Sequence, residues 1–116
     1  MDRKKELKLK YKQIKPDMGI FMVQLRVNNK CYIETTGDLK SRINMTKFKL
    51  EFGNHPNKEL QKEWKEYGKG NFIIKILENL KYDEDKSKTD YEKDLILLYK
   101  IWEEKLFKQG IEFYKK

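Results

Sequence analysis

Residues 19–36 read GIFMVQLRVNNKCYIETT, and this stretch decides the fold. A mostly apolar run over 19–27 ends at the turn pair Asn28-Asn29, and a second run with β-forming residues follows over 30–36. Two such runs joined by a short turn predict a β-hairpin. Because hairpin strands pair antiparallel, the sequence predicts an antiparallel sheet as the base of the domain.

Segments with helical spacing lie on both sides of the hairpin. Residues 1–16 form a basic amphipathic stretch that Pro16 ends. After the hairpin, Asp38 is predicted to cap a helix that stops at Gly53, and Asn57 to cap a second, shorter helix. The sequence therefore predicts helices before and after the two strands.

The last third of the chain predicts one more strand and a closing helix. Residues 71–77 are apolar enough for a strand, and residues 81–88 form a polar loop. Thr89 and Glu92 are predicted to form a capping box that opens a helix over 89–108. The order is α-ββ-α-α-β-α, which predicts an α+β fold with a small three-stranded antiparallel sheet flanked by helices.

Length and composition are consistent with one folded domain over 1–116, with its core in 19–80. Charged residues make up 40% of the chain and the mean hydropathy is −0.95, but the apolar residues fall in periodic blocks, which favours folding. Four aromatic side chains at helical spacing are predicted to be core residues, and His55 is predicted to be a solvated loop residue. The four are Phe48, Trp64, Tyr67 and Trp102.

The charge balance favours a polyanionic partner. The chain carries 27 Lys plus Arg against 19 Asp plus Glu, a net charge of +8. The N-terminal segment alone contributes seven basic residues against Asp2 and Glu6, so its lysines are the best local candidates for phosphate contacts. The candidates in this segment are Lys4, Lys5, Lys8 and Lys12.

Cysteine and histidine usage argues against disulfides and against a metal site of the zinc type. Cys31 and His55 are the single residues of their kinds. No apolar stretch has the length of a signal peptide or a membrane span. The sequence therefore predicts a cytoplasmic protein without a membrane partner.

Two triplets of the hairpin carry a family resemblance. Residues 19–21 (GIF) and 32–34 (YIE) resemble the two signature triplets of the GIY-YIG nuclease family, and their spacing is the family's usual one. Arg42 stands at the family's place in the next helix, and residues 57–78 are similar to the middle of its phage and bacterial members. Within the family, the chain resembles the N-terminal nuclease domain of the excinuclease members and the homing endonucleases.

The resemblance implies a site in which two tyrosines, an arginine, a histidine and a glutamate surround one divalent metal. Of these, the second tyrosine is matched by Tyr32 and the arginine by Arg42. Four signature positions depart from the pattern, and all four are expected to line the surface of the site. They are Phe21 for the first tyrosine, Glu34 for a glycine, Thr46 for the histidine and Tyr99 for the metal-binding glutamate.

The four departures from the family pattern predict that nuclease activity is weakened or lost. Phe21 has no hydroxyl, Thr46 is no base near neutral pH, and the added charge of Glu34 should repel a phosphate. Glu92 and Glu103 are weak substitutes for the metal ligand, because either would need the helix to shift. The expectation is therefore no cofactor, with Mg²⁺ or Mn²⁺ as the alternative.

Three hypotheses for function remain. The first is a degenerate nuclease-like domain that binds nucleic acid, DNA before RNA, through the N-terminal lysines and Arg42, with little or no cleavage. The second is a weak endonuclease dependent on a divalent metal, in which Tyr32 and Arg42 act with Glu92 or Glu103. The third is a protein-interaction domain. The oligomeric state is not predicted.

Overall fold

The computed structural model describes residues 15–115. Three strands and three helices follow one another in the order ββααβα. The predicted N-terminal helix, with Lys4, Lys5, Lys8 and Lys12, lies outside these residues. The elements are β1 (Met18–Leu25), β2 (Cys31–Thr36), α1 (Leu39–Phe52), α2 (Lys58–Tyr67), a short 3₁₀ turn at Lys69–Asn71, β3 (Phe72–Leu80) and α3 (Glu92–Lys108). The prediction of an α+β fold with a three-stranded antiparallel sheet is confirmed.

The hairpin strand β1 lies at the centre of the sheet, in the order β2-β1-β3. Its apolar residues do not alternate with polar ones because both of its faces are covered. Phe21 and Val23 pack in one core cluster, together with residues of α1 and α2, while Ile20 and Met22 pack in the other, together with residues of α3. The site described below lies on the α1 side of the sheet.

Gly19 opens β1 where the neighbouring strand comes unusually close. A Cβ atom at this position would stand 2.1 Å from the carbonyl oxygen of Glu78 in β3. A side chain here would therefore force the two backbones apart. The glycine of the GIF triplet is thus required by the pairing of β1 with β3.

Local capping chemistry sets the ends of α1 and α2 as predicted. The Asp38 side chain accepts a hydrogen bond from the Ser41 amide at 3.1 Å, and Gly53 ends α1 with a φ of 77°. The Asn57 side chain accepts from the Leu60 amide at 3.0 Å and starts α2. These caps fix where α1 begins beside β2, and so where Arg42 stands.

The predicted capping box of the closing helix is wrong. α3 begins at Glu92, and its N-cap residue, Tyr91, makes no capping hydrogen bond with its side chain. The Asp90 carboxylate accepts from the Glu92 amide at 3.0 Å, a bond that leaves Thr89 outside the helix. The Tyr82 and Tyr91 rings meet edge to face at 5.4 Å, so a contact within the loop holds Tyr91 at the helix boundary.

Two aromatic residues predicted to be core are exposed. The side chain of Phe48 is 59% exposed and that of Tyr67 is 38% exposed. α1 turns Leu39, Thr46 and Leu50 to the sheet, which directs Phe48 to the opposite side of the helix. Trp64 is buried as predicted. Within residues 15–115, no helix is long and apolar enough to cross a membrane.

Candidate active site

Tyr32, Glu34 and Arg42 form one hydrogen-bonded cluster between β2 and α1, which we call the site cluster. The Tyr32 hydroxyl donates to Oε1 of Glu34, and Nε of Arg42 donates to Oε2 of the same carboxylate. Tyr32 and Glu34 share a face because they are two residues apart on a strand. Arg42 reaches them from the first turn of α1. The structure thus joins three of the six signature positions through Glu34.

Glu34 changes the chemistry of both residues that match the family. Burial, and then the hydrogen bond to Glu34 and its negative charge, raise the pKa of Tyr32 well above its ordinary value of 10.0. The phenol therefore stays protonated at neutral pH. Arg42 in turn has its charge opposed by a carboxylate at close range. The charge predicted to repel a phosphate is instead paired with the cation that would bind one.

Phe21 and Thr46 do not line the surface of the site. Phe21 is fully buried and lies opposite Glu34 in the β1–β2 register, inside the core cluster under the site. Thr46 is 3% exposed and faces the sheet from α1. The expectation that all four departures line the surface is therefore wrong for these two. Both faces of β1 are covered by helices, so the Phe21 side chain does not reach solvent.

His55 belongs to the site, although the sequence predicts a solvated residue. It is 7% exposed, and its ring meets the Tyr32 ring edge to face at 5.1 Å. The Asn57 amide donates to Nδ1 of His55 at 3.0 Å, so the neutral ring carries its proton on Nε2. Gln61 accepts a hydrogen bond from the His55 amide at 2.9 Å, which fixes the backbone.

Burial lowers the pKa of His55 below its ordinary value of 6.5, and Glu34, Lys49 and Arg42 all lie close enough to influence it. The ring is therefore neutral at pH 7 and presents a hydrogen-bond donor. No local sequence signal reveals this position, because His55 lies in a loop. Its place depends on how α1 and α2 pack.

A groove of about 410 Å³ extends from the site cluster around the edge strand β2 to α3. Tyr32 and Glu34 line it on the strand, and Tyr99 and Glu103 line it on the helix. The structure therefore brings Tyr99 and Glu103 to the predicted site. Glu92, in the first turn of α3, is not among the lining residues.

The residues of the groove do not fit a divalent metal. A hard cation prefers several oxygen ligands, including more than one carboxylate. Of the two glutamates that line the groove, Glu34 is already bonded to Tyr32 and Arg42. Across residues 15–115, no three His, Cys, Asp or Glu side chains are grouped closely enough to hold an ion.

The three-stranded antiparallel sheet with its three helices has a GIY-YIG-like nuclease fold. Solved structures of the catalytic domain of the homing endonuclease I-TevI share this fold. One has a TM-score of 0.65 and 24% sequence identity, and covers 85% of this chain and 99% of that chain. A mutant of the same domain has a TM-score of 0.64 and 25% identity, with 85% and 92% covered. No protein-family model and no curated protein matches the sequence.

Proposed function

We propose that the domain binds nucleic acid, with DNA as the first expectation, and cleaves it little or not at all. One observation carries this proposal. The Glu34 carboxylate accepts hydrogen bonds from both the Tyr32 hydroxyl and the Arg42 guanidinium, which are the two groups that match the nuclease pattern. Both groups that match the pattern are therefore held by the same carboxylate.

Cleavage of a phosphodiester requires an activated nucleophile and stabilisation of charge on the phosphate. The raised pKa of Tyr32 opposes formation of a phenolate, and Phe21 has no hydroxyl. Arg42 can stabilise a phosphate with its full charge only after leaving Glu34. The groove also lacks a set of free carboxylates for a metal, so we propose no metal requirement for binding.

Binding needs less than cleavage, and the residues for it are present. Arg42 donates to Glu34 only through Nε, and its side chain is 43% exposed. Its terminal amino groups can therefore contact a phosphate while the site cluster stays intact. The net charge of +8 adds a general attraction. Other exposed basic residues of α1 and α2 contribute to this charge, namely Lys40, Lys47, Lys58, Lys62 and Lys65.

Fluorescence anisotropy with labelled oligonucleotides at about 50 and about 200 mM salt tests the proposal. We expect binding that weakens steeply with salt. Arg42→Ala should weaken it several-fold and reduce the salt slope by about 0.7 to 0.9, the value of one phosphate contact. Lys69→Ala is the matched control, since Lys69 is 75% exposed and pairs with Glu51 away from the site. Absent or salt-independent binding would refute the proposal.

A weak endonuclease is the second candidate, and one observation favours it. The His55 ring packs against the Tyr32 ring, and the groove that Tyr32 lines reaches Glu103. A neutral histidine beside a tyrosine is a group that can move a proton. Nicking of supercoiled plasmid with Mg²⁺ or Mn²⁺ tests it, and genuine activity must be lost in Arg42→Ala.

A protein-interaction domain is the third candidate. Four large apolar side chains of α3 are between 41% and 73% exposed. Exposed large apolar side chains of this kind are common in protein–protein interfaces. They are Ile96, Leu97, Ile101 and Phe107. Light scattering across a range of protein concentrations tests self-association, and a constant monomer mass would remove that form of the proposal.

A further inference from the structure

The outward side of α1 carries an apolar stripe that the core does not use. Met45 is 46% exposed, Phe48 is 59% exposed and Phe52 is 67% exposed. The Phe48 and Phe52 rings stand 4.5 Å apart between centroids with 36° between their planes. Two neighbouring aromatic rings are thus presented to solvent with part of their faces open.

The stripe is continuous with the site cluster. Residues three or four apart are neighbours on a helix surface, so Arg42 adjoins Met45, and Lys49 adjoins both Met45 and Phe52. Lys49 lies on the side of α1 that faces the site, because it is close enough to His55 to influence that residue electrostatically. Two cations, Arg42 and Lys49, therefore lie along one edge of the apolar stripe.

Exposed rings beside cations are the arrangement that binds unpaired nucleotides. Bases of a single strand stack on aromatic side chains while the phosphates contact the neighbouring cations. Bases in a duplex already stack on each other and offer no free face. A second copy of this face is a poor occupant, since it would bring Arg42 and Lys49 against their own like charges.

We propose that Phe48 and Phe52 form a stacking surface for unpaired bases of a nucleic acid whose phosphates contact Arg42 and Lys49. This inference rests on the proposed nucleic-acid binding and names its substrate class, a single-stranded or locally unpaired strand. The surface lies outside the groove that contains Tyr32, so the strand extends from the site along α1.

The test compares two strands of about ten nucleotides with equal charge, one of thymidines and one with abasic sites throughout. The parent protein should bind the thymidine strand more tightly. Phe48→Ala with Phe52→Ala should weaken that binding about tenfold or more and leave the abasic strand and the salt slope unchanged. Phe48→Trp with Phe52→Trp should preserve the preference for bases.

Phe107→Ala is the matched control, because Phe107 is 73% exposed on α3. It should leave both strands unaffected, and thermal melting should show that every variant is folded. A parent that binds both strands equally, or an alanine pair that binds thymidines as the parent does, overturns the stacking surface alone. A parent that binds neither strand but binds a duplex also overturns the stacking surface alone, and a parent that binds none of the three overturns the proposed function as well. Self-association lost in the alanine pair without a change in oligonucleotide affinity assigns the stripe to a second copy instead.

Discussion

Two clusters that combine a tyrosine, glutamate and a cation lie along β2, and they differ in how enclosed the cation is. In the first, here called the closing cluster, the Lys30 side chain is 13% exposed and pairs with Glu59 and Glu63. Its ammonium also lies 4.8 Å from the centre of the Tyr114 ring. The closing cluster therefore joins the hairpin, α2 and the C-terminal segment.

The site cluster combines the same types of residue, but its cation is more exposed. Arg42 is 43% exposed and pairs with one carboxylate, Glu34. It joins two elements, β2 and α1, and its terminal amino groups remain accessible. Residue types alone therefore do not identify a functional site, because a tyrosine, a glutamate and a cation can also hold elements of the fold together. Exposure of the cation and the number of elements it joins separate the two roles.

The largest difference between the clusters should appear in stability. Burial opposes the charge of Lys30, yet the Glu59 and Glu63 carboxylates raise its pKa, so the cation is firmly held. Lys30→Met leaves these carboxylates together without a cation and should cost about 2–3 kcal/mol in urea unfolding. Arg42→Met should cost less than about 1 kcal/mol because its charge pair is partly solvated. Equal losses would mean that the site cluster is structural too.

The second prediction concerns the carboxylate of the site cluster, which Glu34→Gln converts to an amide. The amide keeps the shape of the carboxylate but removes the charge that opposes Arg42. We expect oligonucleotide affinity to rise about three- to tenfold, and the salt slope to steepen by about 0.7 to 0.9. Glu104→Gln on α3 is the control, since it removes the same charge from a side chain that is 67% exposed and pairs with Lys108. Affinity that rises equally in both variants would show that only net charge matters.

The smallest expected effect is a pH dependence of stability due to His55. Because burial lowers its pKa, the unfolded chain binds a proton at a higher pH than the folded chain. Stability should therefore be fully present above about pH 6.5 and decrease as the pH falls below that value. His55→Asn keeps an acceptor near the Nδ1 position and removes the titration, and His55 is the single histidine of the chain. Urea unfolding at about pH 7.5 and 5.5 should show less loss in this variant than in the parent. An unchanged loss would mean that His55 is not held neutral.

The features that could be predicted from sequence are those set by local chemistry. Asp38 and Asn57 accept amide hydrogens three residues ahead, and Gly53 adopts a conformation that other residues avoid. These signals need no knowledge of the rest of the fold. That Tyr32 and Arg42 share a site is implied by the family resemblance and not by a local signal.

The features that sequence does not reveal depend on contacts distant along the chain. α1 carries two apolar stripes, and sequence alone does not decide that the one with Phe48 faces solvent. His55 is buried because α1 and α2 pack around its loop. The hydrogen bond from Arg42 to Glu34 likewise depends on how α1 packs against β2. Each is a property of packing.

Supercoiled plasmid incubated with the protein and Mn²⁺ at low salt tests the central claim most directly, because binding and cleavage are read from the same sample. We expect retarded plasmid that remains supercoiled after the protein is removed, with retardation reduced in Arg42→Ala and increased in Glu34→Gln. Plasmid nicked by the parent protein, with the nicking lost in Arg42→Ala, would contradict it.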